Sequence, residues 1–95
     1  GRFLDTTALS DVIYNTLGSA STLLDIPTAD GVQQLILFLE TEPEPDLEER
    51  VRRVVTEHFG TYAQPAQVIA LPEFPRTAAG KIRTGALREH VTKPS

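Results

Sequence analysis

Lys81 is the residue in this 95-residue chain whose type and setting most invite chemistry. It follows Gly80 and the small pair Ala78-Ala79, in the stretch Pro75-Arg76-Thr77-Ala78-Ala79-Gly80-Lys81-Ile82-Arg83. A lysine is a compact charge on a long stem, so at a loop tip it can meet an anion outside its own domain. Gly80 can take positive φ without steric cost, and the alanines leave the tip with little bulk. The Gly-Lys pair raises a phosphate-cradling P-loop, which the spacing rejects. That loop needs glycine five residues before the pair and Ser or Thr after the lysine. Pro75 and Ile82 hold those positions. The basic run from Arg76 to Arg88 raises nucleic-acid binding. Only Phe74 supplies an aromatic ring there, and the net charge of −4 opposes it.

Composition alone reads Lys81 as a solvated surface charge. It reads the basic run, the acidic 40–49 stretch, His58 and His90 the same way, and Tyr62 and Phe74 as packing residues. The absence of cysteine excludes disulfides and thiolate metal sites. His58 and His90 are too far apart in sequence to suggest an imidazole site, so no metal is expected. No run is long and apolar enough to span a membrane. The start lacks the charged-then-apolar pattern of a secretory signal, so the expected location is cytoplasmic. An apolar fraction of 40% suits one globular domain of modest core. Charge is uneven, with residues 25–49 acidic and 76–93 mainly basic.

The elements that would position Lys81 follow from periodicity. Leu9, Val12, Ile13 and Leu17 recur at helical spacing, so a helix is predicted over 8–17, with Asp5, Thr6 and Thr7 as cap types and Gly18 beyond its end. Thr22 to Ile26 and Val32 to Glu40 read as strands joined by a turn at Pro27 to Gly31. The second is almost continuously apolar, which implies burial on both faces. The prolines between Thr41 and Pro45 mark a surface linker. Asp46 would cap a helix with Leu47, Val51, Val54, Val55 and Phe59 on one face, closed by Gly60. A loop at 62–65 leads into a strand at 66–71, which Pro72 and Pro75 end. Ile82 to Val91 reads as a last helix. The fold class is α+β, a small three-stranded sheet (hairpin plus one strand) with helices packed on it and the lysine loop before the last helix.

Several stretches in this order look like the end of an adenylate-forming enzyme. They are Phe59-Gly60-Thr61-Tyr62-Ala63-Gln64-Pro65, then Val68 through Ile82, then Leu87-Arg88. That superfamily includes acyl-CoA synthetases, fatty-acyl-AMP ligases, peptide-synthetase adenylation domains and luciferases. Its motif Pro-Lys/Arg-Thr-x-(Ser/Asn/Ala)-Gly-Lys-(Ile/Val) falls on Pro75 to Ile82, after a Tyr-x-x-Pro element on Tyr62 to Pro65. The chain departs from the pattern at its start. Gly1-Arg2-Phe3-Leu4 falls on a Gly-x-Arg-Ile element, so the family's arginine meets Phe3 and its two glutamates meet Ala8 and Ser10. Thr84 also stands where a second basic residue is usual.

The resemblance implies a mobile C-terminal domain whose large N-terminal partner domain, carrying most of the acyl and ATP pocket, is absent. ATP and Mg2+ would be held mainly there, with none on this chain alone, which is then inactive by itself. Lys81 would bridge the acyl carboxylate and the phosphate, presented by Pro75, Arg76, Thr77 and Gly80, with the Thr77 hydroxyl bracing the loop. The domain would then rotate and bring Gly1, Arg2 and Phe3 to a thiol acceptor, CoA or an acyl or peptidyl carrier protein. The hinge residue lies before Gly1 or is Asp5. The alternative is a non-catalytic interaction module of the same fold that docks a carrier protein. A small anion- or nucleic-acid-binding protein is the third class.

Overall fold

The strand Gln33–Glu40, β2, is the middle of everything described. In the computed structural model, residues 6–27 and 31–92 are described. Within β2, Ile36, Leu37, Phe38 and Leu39 are all essentially inaccessible. Because strand side chains alternate between faces, this run feeds two cores at once. Leu37 and Leu39 join a cluster on one face, and Ile36 and Phe38 join a cluster on the other. The burial on both faces implied by the unbroken apolar pattern is what the fold contains.

On one side β2 pairs antiparallel with β1, Ser21–Pro27, from Ser21 opposite Leu39 to Pro27 opposite Gln33. The turn expected between them rests largely on residues 28–30, which lie outside the described residues. On the other side β2 pairs with β3, Gln67–Leu71, and this pairing is parallel, from Ile36 opposite Gln67 to Glu40 opposite Leu71. A parallel neighbour needs a crossover, which the helix α2, Leu47–Phe59, provides. The sheet order is β1-β2-β3. Pro27 therefore sits at the end of an edge strand, where its missing amide is tolerated.

Helices cover the first face. α1, Thr6–Leu17, buries Leu9 and Ile13, and α2 buries Leu47, Val51 and Val55, all against Leu37, Leu39 and Ala63. The spacing of the α2 residues puts them on one stripe. Its outer face carries Glu48–Arg52 and Glu49–Arg53 pairs at 3.0 and 3.6 Å. Asp46 precedes α2 as expected but makes no side-chain cap bond; its carboxylate lies 3.6 Å from Arg50 instead. The segment expected as loop over 62–65 begins with a short 3-10 turn, Thr61–Ala63. Arg52 fastens α2 to the segment after that turn, donating to Gln64 Oε1 at 3.2 Å and to the Pro65 carbonyl at 2.9 Å.

The second face is covered by less. α3, Thr84–Thr92, contributes Leu87 and Val91, and the segment before it contributes Phe74 and Ile82. The last helix therefore starts two residues later than the pattern predicts. Ile82 is drawn out of it by pairing with Arg76 across the lysine loop, while its side chain still packs inward. Among the described residues, no helix is long and apolar enough to cross a membrane.

Candidate functional site

β3 stops at Leu71, and Pro72 and Pro75 keep the chain from extending the sheet. Between them Phe74 turns in and is buried to 2% exposure. The chain then makes a small hairpin of its own. Arg76 and Ile82 form an antiparallel bridge, and the Arg83 amide donates to the Pro75 carbonyl at 2.8 Å. One layer out, the Thr77 amide donates to the Lys81 carbonyl at 2.8 Å, and the Gly80 amide donates to the Thr77 carbonyl at 2.9 Å. The Thr77 hydroxyl accepts from the Lys81 amide at 3.3 Å, closing the turn from the side-chain side.

Gly80 has φ +88°, a conformation that a Cβ disfavours. This turn needs glycine for its backbone, not for space, because a Cβ added there would meet nothing within 4 Å. Ala78, Ala79, Gly80 and Lys81 are all exposed. Among the described residues, no carboxylate lies within ion-pair distance of the Lys81 ammonium. A cation at a hydrogen-bonded tip, with no ion-pair partner among the described residues, is available to an anion brought from outside.

The base of the hairpin is held by a residue that the sequence does not single out. Glu40, the last residue of β2, accepts the Phe74 amide at 2.8 Å and both terminal guanidinium nitrogens of Arg76, Nη1 at 2.5 Å and Nη2 at 3.1 Å. The guanidinium also lies 5.9 Å from the centroid of the Phe74 ring. The Arg76 hydrogen bonds, followed by the Phe74 amide, hold the Glu40 carboxyl below the usual carboxylate range, against a smaller opposing effect of burial. The same contact holds Arg76 protonated more firmly than usual.

Of the residues predicted for function, Pro75, Arg76, Thr77, Gly80 and Lys81 thus come together in one hairpin. Gly1, Arg2, Phe3 and Asp5 lie outside the described residues. Arg83, Arg88 and His90 are exposed on and before α3, and Arg88 donates to the Asp25 carbonyl at 3.3 Å. A groove of about 210 Å³ lies between the 43–48 segment and β3, and none of residues 72–83 lines it. Among the described residues, no three His, Asp or Glu side chains gather as a metal-ligand set.

Solved structures share this fold. The chain superposes on an acyl-CoA synthetase from Brucella canis with a TM-score of 0.73 and 20% identity, covering 95% of this chain and 18% of that one. The amide bond synthetase McbA from Marinactinospora thermotolerans gives 0.73 and 22%, covering 95% and 19%. The anthranilate CoA ligase AuaEII, solved with anthranoyl-AMP, gives 0.74 and 20%, covering 97% and 19%. The chain thus spans about a fifth of the length of these proteins. A comparison with curated proteins gave no significant match. The family described as AMP-binding enzyme C-terminal domain matches residues 26–81, a span that runs from β1 through the sheet and ends on Lys81. As that span is more than half of the chain, this chain belongs to the AMP-binding enzyme C-terminal domain family.

Proposed function

We propose that this chain is the mobile C-terminal domain of a larger ATP-dependent ligase that activates a carboxylic acid as its acyl-adenylate, and that Lys81 is the catalytic cation of that step. The observation that carries the reading is the exposed Lys81, without an ion-pair partner among the described residues, at the tip of a hydrogen-bonded hairpin and at the end of the family match.

The chemistry asks for such a group. In acyl-adenylate formation a carboxylate oxygen attacks the α-phosphorus of ATP, the new acyl–phosphate bond forms, and pyrophosphate leaves with the bonding electrons. Two anions must approach, and charge builds on the phosphoryl oxygens. A cation fixed near them stabilises the transition state more than the separated reactants. Lys81 supplies that charge, and Pro75, Arg76, Thr77 and Gly80 present it. Mg2+ and most of the ATP contacts are assigned to the large domain.

In the second half-reaction the domain turns, Lys81 withdraws, and another face admits the acceptor. We assign Gly1, Arg2 and Phe3 to that face and a thiol, of CoA or of a carrier protein, to the acceptor. Replacing Lys81 by alanine in the complete enzyme tests the assignment, because it removes the cation from the first half-reaction alone. A non-catalytic module that docks an acidic carrier protein draws on the exposure of Arg83, Arg88 and His90. That reading predicts full adenylate formation in the Lys81→Ala enzyme.

A further inference from the structure

The lysine hairpin is fixed to the sheet by a contact that the acyl-activation reading does not use. Glu40 ends the central strand, yet its carboxylate is spent entirely on residues 34 and 36 positions further along. Oε2 takes the Phe74 amide and one guanidinium nitrogen of Arg76, and Oε1 takes the other nitrogen. Two parallel charge-assisted bonds fix direction as well as distance. Arg76 is also the residue that pairs with Ile82 at the base of the hairpin. Glu40 therefore grips the hairpin where it starts, and Lys81 sits at the other end.

The ion pairs on the outer face of α2 differ in what they join. Glu48–Arg52 and Glu49–Arg53 each lie within the helix, with acid side chains 59% and 74% exposed. They hold together residues that the helix already holds. In the Glu40–Arg76 pair the acid is 21% exposed and the base 35%, and the pair joins the sheet to a segment that leaves it. Phe74, between the two in sequence, is buried in the cluster with Ile36, Phe38 and Leu87 and so anchors the same segment by packing.

We infer that Glu40 is a positioning residue for Lys81, acting through Arg76 and the Phe74 amide to set where and in what direction the hairpin leaves the sheet. The effect on turnover rests on the acyl-activation reading; the effect on the hairpin does not. Glu40→Gln keeps the size and an acceptor for the Phe74 amide but removes the charge and the bidentate pair. Arg76→Ala removes the same contact from the other side.

The test is made in the complete enzyme, with two readouts. Hydrogen exchange reports the amides of Thr77, Gly80, Lys81 and Arg83, all of which are bonded within the hairpin. Pyrophosphate release is measured with ATP and a panel of fatty, aromatic and amino acids, continuing with the acid turned over fastest by the unaltered enzyme. In Glu40→Gln, exchange should quicken at residues 74–83 and stay unchanged in β1 to β3. Adenylate formation should fall roughly 10- to 100-fold, the scale expected when a reacting group is misplaced by about an ångström. Thioester formation from supplied acyl-adenylate should not change. The double variant Glu40→Gln/Arg76→Ala should lose no more than the worse single variant, because both remove one contact. Exchanging the charges, Glu40→Arg with Arg76→Glu, should recover part of the lost rate.

Unchanged exchange at 74–83, or equal quickening across all three strands, overturns the positioning role. Equal loss in both half-reactions does so as well. If Lys81→Ala leaves adenylate formation intact, or no acid in the panel is activated, the acyl-activation reading falls. The exchange result then decides the role of Glu40 by itself.

Discussion

Replacing Phe74 by alanine should be the most damaging single truncation near the lysine hairpin. The side chain is 2% exposed and packs with Leu24, Ile26, Ile36, Phe38 and Leu87. Removing a ring from such a site costs about 3–5 kcal/mol, through lost burial and the cavity left behind. The upper part of that range is expected, since among the described residues this face of the sheet is covered only by α3 and the segment that Phe74 itself anchors. A chain of 95 residues has a total stability on the order of 5–14 kcal/mol, so the loss takes about a fifth of it or more. In a domain of this size Tm falls roughly 4–8 °C per kcal/mol, so a drop of at least about 12 °C is expected. Urea denaturation followed by far-UV circular dichroism gives the free energy directly, with Tyr14→Ala as an aromatic control. Tyr14 is 60% exposed, so its loss should stay within about 0.5 kcal/mol. Phe74→Leu should fall between the two. A Phe74→Ala loss below about 1 kcal/mol would refute anchoring of the hairpin by burial.

Gly80→Ala adds a Cβ that meets nothing within 4 Å, so its cost is confined to the left-handed backbone, about 1–2 kcal/mol. It should lower adenylate formation far more than it lowers the denaturation midpoint; proportionate losses would remove the special role of the turn. The folded-state pKa of Glu40 lies below the ordinary glutamate value, so its contribution to stability is fully present above that ordinary value and is lost as pH falls through the lowered one. Arg76 stays charged throughout this window. The stability gap between the unaltered chain and Glu40→Gln, from urea midpoints between pH 7 and pH 2.5, should therefore be flat at first and close only on the acid side. A gap that widens on acidification would contradict the assigned pair.

Some of this architecture is legible from local pattern and some is not. The α2 stripe of Leu47, Val51, Val54 and Val55 is visible because helical spacing repeats for three turns. The burial of β2 is visible in its unbroken apolar run. Both signals are local. The parallel partner of β2 is less so, because its choice depends on where α2 delivers the chain. Ile82 carries a helix-compatible spacing with Ala86, but its pairing with Arg76 outweighs that preference. Glu40 has no local signal at all. A charge closing an apolar strand looks like any strand end, and its partners lie more than thirty residues away. Lys81 stands out in the sequence only through the ordered motif around it, since a lysine by itself is a surface charge.

The role proposed for Lys81 lies in adenylate formation and not in transfer. The two half-reactions should be measured separately in the complete enzyme carrying Lys81→Ala, with pyrophosphate release for the first and thioester yield from supplied acyl-adenylate for the second. Losing a single preorganised charge contact predicts a fall of roughly a hundredfold to a thousandfold in the first. The second should stay within a few-fold of the unaltered enzyme. An equal fall in both, or an unchanged rate of pyrophosphate release, would contradict the role assigned to Lys81.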